Sequence, residues 1–233
     1  MAGAREPLTR VRIIEAALEI IDDEGLGALN MRRLAAAVGV KPMSLYHHVP
    51  NKESILDAVA ECIAEAALGD CGVQGERGVQ GERSVQGERS VQGASTHGWR
   101  ERTRELFIGL YELVQDHPRA LPLISTAVLR TPSGRRWMEE LMSVLLGAGF
   151  TPDQAASLFH TLGAYTIGLG YASMLSLDVP PATIVGELTG HWADYPHLLR
   201  VGLQLAVWDR PGDFDKVLEL QLDHFAAQLP VAG

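Results

Sequence analysis

At 233 residues the chain is long enough for one large domain or two small ones, and 46% hydrophobic, 6% aromatic and 21% charged residues is ordinary for a globular protein. A formal charge of −9 excludes a protein that coats nucleic acid indiscriminately, so any such contact has to be local. Cys62 and Cys71 have no metal-like partners at the right spacing and MAGAREPLTR has no apolar core for a signal peptide, which fits a reduced, cytoplasmic chain.

Thr9 to about Asp23 reads as the first helix, with Val11, Ile14, Ala17, Leu18 and Ile21 at helical spacing and Gly25 as its stop. From Gly25 to Lys52 the charge inverts. This window holds Arg32, Arg33, Lys41 and Lys52 and no acid, while Asp22, Asp23, Glu24 and Glu53 flank it. Such a basic island in an acidic chain asks for a polyanionic partner. Asn30 is an N-cap for a short helix from Met31 to Val38, with Leu34, Ala35 and Val38 on one face. Gly39 supplies the left-handed residue that ends it. Val40 plugs the turn, and a second helix opens near Lys41 with Pro42 in its first turn. That helix is expected to expose Lys41, Met43, Ser44, Tyr46, His47 and His48 and to turn Leu45 and Val49 inward. Two short helices about a glycine-containing turn make a helix-turn-helix pattern.

Asn51 caps the next helix, with Glu53 in its first turn, and Ile55, Leu56, Val59 and Ile63 carry it to about Leu68. Gly72–Ser95 is a repeat, GVQGER, GVQGER, SVQGER, SVQGAS. Serine at positions 84 and 90 and the lack of proline exclude a collagen triple helix, and one valine per unit is too apolar-poor for a β-helix. The segment reads as a flexible insertion.

A helix then runs from Trp99 to about His117 with Leu106, Leu110, Leu113 and Val114 as its stripe, and Pro118 stops it. Pro122 to Leu129 is a short apolar element. Ser133 or Gly134 opens a helix through Trp137, Leu141, Val144 and Leu145 to Gly147. Thr151 caps the next, with Pro152 first and Asp153 and Gln154 in the first turn. Ala155 to Leu177 has no formal charge, yet its hydroxyls, histidine and glycines and the lack of flanking basic clusters favour a buried or interface helix over a membrane span. Pro180-Pro181 ends it, 182–191 reads as helical, and Tyr195-Pro196 reads as a loop. Asp213 is expected to cap the last helix, striped by Phe214, Val217, Leu218, Leu222, Phe225 and Leu229.

The run LNMRRLAAAVGVKPMSLYHHVPNKESILDAV resembles the DNA-binding region of the tetracycline repressor (TetR) family. WRERTRELFIGLYELVQDHP, LLGAGFTPDQAASLFHTLGAYTIG and FDKVLELQLDHF resemble, more weakly, its C-terminal regulatory domain in order and spacing. The resemblance implies an all-α fold, with an N-terminal three-helix helix-turn-helix domain and a larger C-terminal helical regulatory and dimerisation domain. The boundaries expected are 7–68 for DNA binding, 72–95 for the insertion and 97–230 for ligand binding and dimerisation. It implies that the first helix braces the helix-turn-helix with its apolar stripe in the core. The long uncharged helix and the last helix would pair with their copies in a homodimer, where Gly163, Gly168 and Gly170 allow close backbone approach.

The same resemblance assigns roles at a double-stranded DNA operator. Arg32 approaches a guanine edge, Pro42, Met43 and Ser44 face bases, and Tyr46, His48 and Lys52 hold phosphates. Asn30, Lys41 and His47 complete the DNA-binding set; His47 stands where tetracycline repressors have Trp. Arg33 is either a further contact or a solvated charge. For a small effector, Tyr111, Trp137, Met138, Leu141, His160 and Tyr165 are the candidate contacts, with ordinary core packing as the competing account of each. Ile124 aligns with the histidine that holds a tetracycline's magnesium, so a mostly apolar or aromatic effector without metal fits better. His47-His48 is no metal pair, since neighbours on a helix point about 100° apart. An enzyme is the rival class, with His160 and Tyr165 in a buried pocket, but there is no phosphate loop, GxSxG, HExxH or CxxC, and no cofactor is expected. The expected protein is a ligand-responsive repressor.

Overall fold

The computed structural model of the protein describes residues 7–68, 98–176, 186, 195–205 and 212–229, which hold helices and turns and no strand. The predicted insertion at 72–95 and the Pro180-Pro181 stop lie outside the described residues, as does the segment 182–191 apart from Gly186. The fold is all-helical, with an N-terminal helix-turn-helix domain and a larger C-terminal helical domain. No helix among the described residues is long and apolar enough to cross a membrane, Pro152–Ser176 included.

Local capping accounts for several of the boundaries. In α1 (Arg10–Glu24) the Thr9 hydroxyl accepts from the Arg12 amide at 3.2 Å. Asn30 does the same for α2 (Met31–Ala37), accepting from the Arg33 amide at 2.9 Å. The end of α2 is a Schellman turn: the Val40 amide reaches the Ala35 carbonyl at 2.9 Å and the Gly39 amide the Ala36 carbonyl at 3.1 Å. That closure requires a left-handed residue, which Gly39 provides at φ 72°. Pro42 opens α3 (Pro42–Tyr46), and Asn51 caps α4 (Lys52–Ala67) by accepting from the Ser54 amide at 2.8 Å.

Further on come α5 (Gly98–Asp116), a 3-10 turn (Pro118–Ala120), α6 (Leu121–Arg130), α7 (Pro132–Gly147), α8 (Pro152–Ser176), α9 (Pro196–Leu205) and α10 (Asp213–Ala226). At α8 the Thr151 and Gln154 side chains cap each other's amides at 3.3 and 2.8 Å, a capping box. Two expected details change. Tyr195-Pro196 is not simply a loop, because Pro196 is the first residue of α9, a position where a missing N–H costs nothing. Asp213 is not the cap of the last helix; Gly212 is, and Asp213 sits one residue inside, paired with Lys216 at 3.1 Å.

The described residues fall into two compact units, those within Met1–Gly93 together with Glu112–Leu141, and those within Ala94–Tyr111 together with Met142–Gly233. In the first, α1 packs on α2 and α4, α2 on α3, α4 on α6, and the 3-10 turn on α1 and α6. Its core includes Ile13, Ile21, Leu29, Leu34, Leu45, Ile55 and Leu121, all almost wholly buried. In the second, α10 packs on α8 through a face holding Phe214, Leu218, Leu222 and Phe225. Its polar face meets α5: Arg100 reaches Asp223 at 2.6 Å and Glu219 at 3.2 Å, and Arg104 reaches Glu219 and Asp215, each at 3.1 Å.

The stripe expected for α1 is partly displaced. Ala17, Leu18 and Ile21 are buried as expected, with Ile13, Ala16 and Ile20 beside them, but Val11 is 60% exposed. The helix is enclosed by α2, α4 and the 3-10 turn, so its buried face is wider than one stripe and turned away from Val11.

Candidate nucleic-acid interface

The helix-turn-helix is held from inside by few residues. Leu45 is the buried member of α3, Val49 follows it after one turn, and Leu34, Ala35 and Val38 supply the opposing face from α2. With those side chains committed inward, Lys41, Pro42, Met43, Ser44, Tyr46, His47 and His48 are all exposed. Met43 is 73% and Tyr46 47% exposed, so α3 leaves two large side chains in water about one turn apart.

The four cations of the basic window separate into two kinds. Arg33 forms an ion pair with Glu24 at the end of α1, so its charge is offset locally. Lys52 donates to the Leu26 carbonyl at 3.1 Å, which ties α4 to the loop ahead of α2 and leaves it only part exposed. Arg32 and Lys41 are exposed and make no ion pair among the described residues. Asn30 has its side chain engaged as the cap, and its amide nitrogen donates to the Ala28 carbonyl at 3.2 Å. These bonds set the start of α2. No group of His, Cys, Asp and Glu among the described residues is placed to hold a metal.

The effector candidates divide between the units. Trp137 and Leu141 are buried and Met138 half-buried in the part of α7 that belongs to the first unit. Tyr111, His160 and Tyr165 belong to the second. There Tyr111 stacks on Phe214 with centroids 4.1 Å apart, and Tyr165 lies parallel to the same ring at 5.9 Å. His160 is a correction: it is exposed on α8 and Tyr165 half-buried, so among the described residues the two do not form the buried pair that the enzyme reading expected. Ile124 is buried in α6. A groove of about 550 Å³ between α1 and α4, with Val11, Ile14, Ala58 and Cys62 in its lining, accounts for the exposure of Val11. No effector candidate lines it.

Sequence patterns missed the contacts that join α4 and α1 to later helices. Glu61 on α4 receives the Ser133 hydroxyl at 2.7 Å and the Ser133 amide at 3.2 Å, a carboxylate at the start of α7. Burial pushes the Glu61 carboxyl up, but the Ser133 bonds, Thr131 and the Arg136 charge outweigh it and hold its pKa below the ordinary range. Asp57 pairs with Arg130 at the end of α6 at 2.6 Å. Asp22 meets His117 at 2.7 Å across a separation of 95 residues. At such separations no local spacing signals a pair.

Comparisons with known proteins agree with this geometry. Residues 13–59 match the family of bacterial regulatory proteins, tetR family, and residues 93–229 match the tetracyclin repressor-like C-terminal domain. The HTH-type transcriptional repressor DrrR1 of Streptomyces coeruleorubidus is 26% identical over 204 residues, which is 85% of this chain and 66% of that protein. A possible TetR family transcriptional regulator from Streptomyces coelicolor A3(2) is similar in structure with a TM-score of 0.68 and 26% identity, covering 94% of this chain and 100% of that one. ActR from Streptomyces coelicolor, in complex with (S)-DNPA, gives a TM-score of 0.64 and 25% identity over 97% of this chain and 100% of its own.

Proposed function

The chain belongs to the tetR family of bacterial regulatory proteins, and we propose that it is a repressor that binds a palindromic operator as a homodimer and is released by a small effector. The observation that carries this reading is the exposed set on α3, which has no role in the core of its own domain. A recognition helix presents its N-terminal residues to base edges in the major groove. Pro42, Met43 and Ser44 sit there, with Met43 and Pro42 suited to thymine methyls. Arg32 offers a planar fork to guanine, while Tyr46, His48 and Lys52 set register on phosphates. The regions proposed are 7–68 for DNA and 97–230 for effector and dimer, and the place of action is the cytoplasm.

Dimerisation is supported by Tyr171 and Leu175 on α8 and Leu220 on α10, large apolar residues exposed in the single chain. Two copies would then engage half-sites about one helical turn apart. The effector is proposed to be mostly apolar or aromatic and to need no metal, since Ile124 offers no ligand; the complex of ActR with (S)-DNPA supports ligand responsiveness. Release follows from linkage: an effector that favours the DNA-incompetent arrangement lowers operator affinity by that same differential. Because α4 is tied to α6 and α7 by Asp57–Arg130 and Glu61–Ser133, a shift of those helices would swing α4 and the recognition helix with it.

Selection of bound fragments from random duplex DNA tests the reading. A two-fold symmetric consensus is expected, and Arg32→Ala should relax one position in each half and weaken binding by about 1–3 kcal/mol per contact. A monomeric protein that enriches no sequence at low salt would overturn it.

A further inference from the structure

We infer that His117 and Arg119 form a pH-sensitive latch on the C-terminal end of α1, one that holds the approach to the helix-turn-helix while the imidazole is protonated and loosens when it is neutral. The latch has two contacts. Nδ1 of His117 lies 2.7 Å from Oδ2 of Asp22, with the imidazole 18% and the carboxylate 27% exposed. Nη1 of Arg119 donates to the main-chain carbonyls of Asp22 and Asp23 at 2.9 and 3.0 Å. Carbonyls in the last turn of a helix have no intrahelical partner, and a cation there also meets the negative end of the helix dipole. Arg119 therefore closes the end of α1 through its two carbonyl bonds, while His117 adds a charge that can be withdrawn.

Three features make the imidazole charge matter. The other oxygen of Asp22, Oδ1, is buried and accepts no hydrogen bond among the described residues, so this carboxylate depends on His117 for compensation. When the imidazole loses its proton, a hydrogen bond can persist, but a part-buried negative charge faces a neutral ring. Next, the surrounding charges are few. Asp22 faces the ring from α1, Asp116 precedes it at the end of α5, and Arg119 points to the carbonyls. Glu24 is occupied by Arg33, and α6, which packs on the same 3-10 turn, has no charged residue before Arg130, itself paired with Asp57. Burial opposes the charged ring, but the bond to Asp22 and the charges of Asp22 and Asp116 outweigh it, so the pKa lies above the ordinary histidine value. Lastly, only residues 25–30 separate α1 from α2, so a displaced end of α1 moves the start of the helix-turn-helix.

The sign follows from the raised pKa. The contribution is complete below the ordinary histidine range and is lost as pH rises through the folded-state value. The test uses hydrogen exchange of the full chain, corrected for intrinsic rate, from about pH 6 to about pH 9, with the His117 ring titration followed by NMR. Wild-type protection across 22–34 should fall about fivefold through the His117 titration, an effect at the low end of site-to-site coupling. His117→Gln should show the lower protection throughout, and His117→Arg should keep the higher protection to alkaline pH. Asp22→Asn should lower the ring's titration point. Identical pH profiles in wild type and His117→Gln, or an unmoved titration in Asp22→Asn, would overturn the latch. The exchange readout needs no DNA, so failure to select an operator would count against the regulator reading alone, while a flat exchange profile would sink the latch alone. Any effect of pH on affinity for a selected duplex rests on both.

Discussion

The start of α7 passes so close to α6 that Gly134 has no room for a side chain. A Cβ there would stand 2.2 Å from the Ala127 carbonyl oxygen, 2.6 Å from its carbon and 2.7 Å from Val128 Cα. All three are backbone atoms, so no rotamer change relieves the clash. Gly134→Ala must instead push α7 away by at least about 1.2 Å to bring 2.2 Å out to 3.4 Å, where ordinary contact begins. That movement works against a buried knot: Thr131 Oγ1 donates to Ala127 O at 2.9 Å and accepts from the Gly134 amide at 2.9 Å, with Glu61 on Ser133 beside it. Overpacking costs about 1–3 kcal/mol, and weakening one buried hydrogen bond adds about 1 kcal/mol. The helix propensity of alanine returns about 1 kcal/mol, so the net loss is about 2 kcal/mol. For a chain of this size that lowers Tm by roughly 4–8 °C. Thermal unfolding followed by circular dichroism should be run at one protein concentration, because association would shift Tm. A Gly134→Ala protein as stable as wild type would refute the close-approach argument.

Leu45→Ala removes the buried anchor of α3 and should cost about 2–5 kcal/mol, read by urea unfolding; an unchanged midpoint would mean that Leu45 does not hold the recognition helix. Glu61 has a depressed pKa, so its contribution is present above the ordinary carboxyl range and is lost as pH falls through the folded-state value. Glu61→Gln should therefore flatten the acid limb of stability against pH, and a limb as steep as wild type would contradict the capping role. Arg130 and Asp57 are each about half exposed, so their double-mutant coupling should stay within about 0.2–1 kcal/mol despite the 2.6 Å distance. At Gly163 a Cβ meets nothing within 4 Å in the single chain, so alanine should stabilise the isolated fold by about 1 kcal/mol. If α8 forms the proposed dimer interface, sedimentation should show the same variant shifted towards monomer.

Much of the fold could be read along the chain because its punctuation is local. Asn30, Asn51 and the Thr151–Gln154 box satisfy amides within three residues of themselves, and Gly39 closes a turn that no other nearby residue could close. The inward turn of Leu45 and Val49, and hence the exposure of Met43, Tyr46 and His48, follows from helical spacing alone. Which charges remain available to a partner did not follow. Arg33 is paired with Glu24, and Lys52 uses one of its three donors on the Leu26 carbonyl while keeping its charge, and Val11 and His160 turned outward against expectation.

The basic, acid-free helix-turn-helix and the succession of helices were determined by the sequence itself, since propensity, caps and periodicity act over a few residues. Tertiary structure alone decided the ties of Asp22 to His117, Asp57 to Arg130 and Glu61 to Ser133. These partners are 95, 73 and 72 residues apart, and side chains that far apart become neighbours only when burial of the apolar faces between α1, α4 and α6 has fixed where each helix lies.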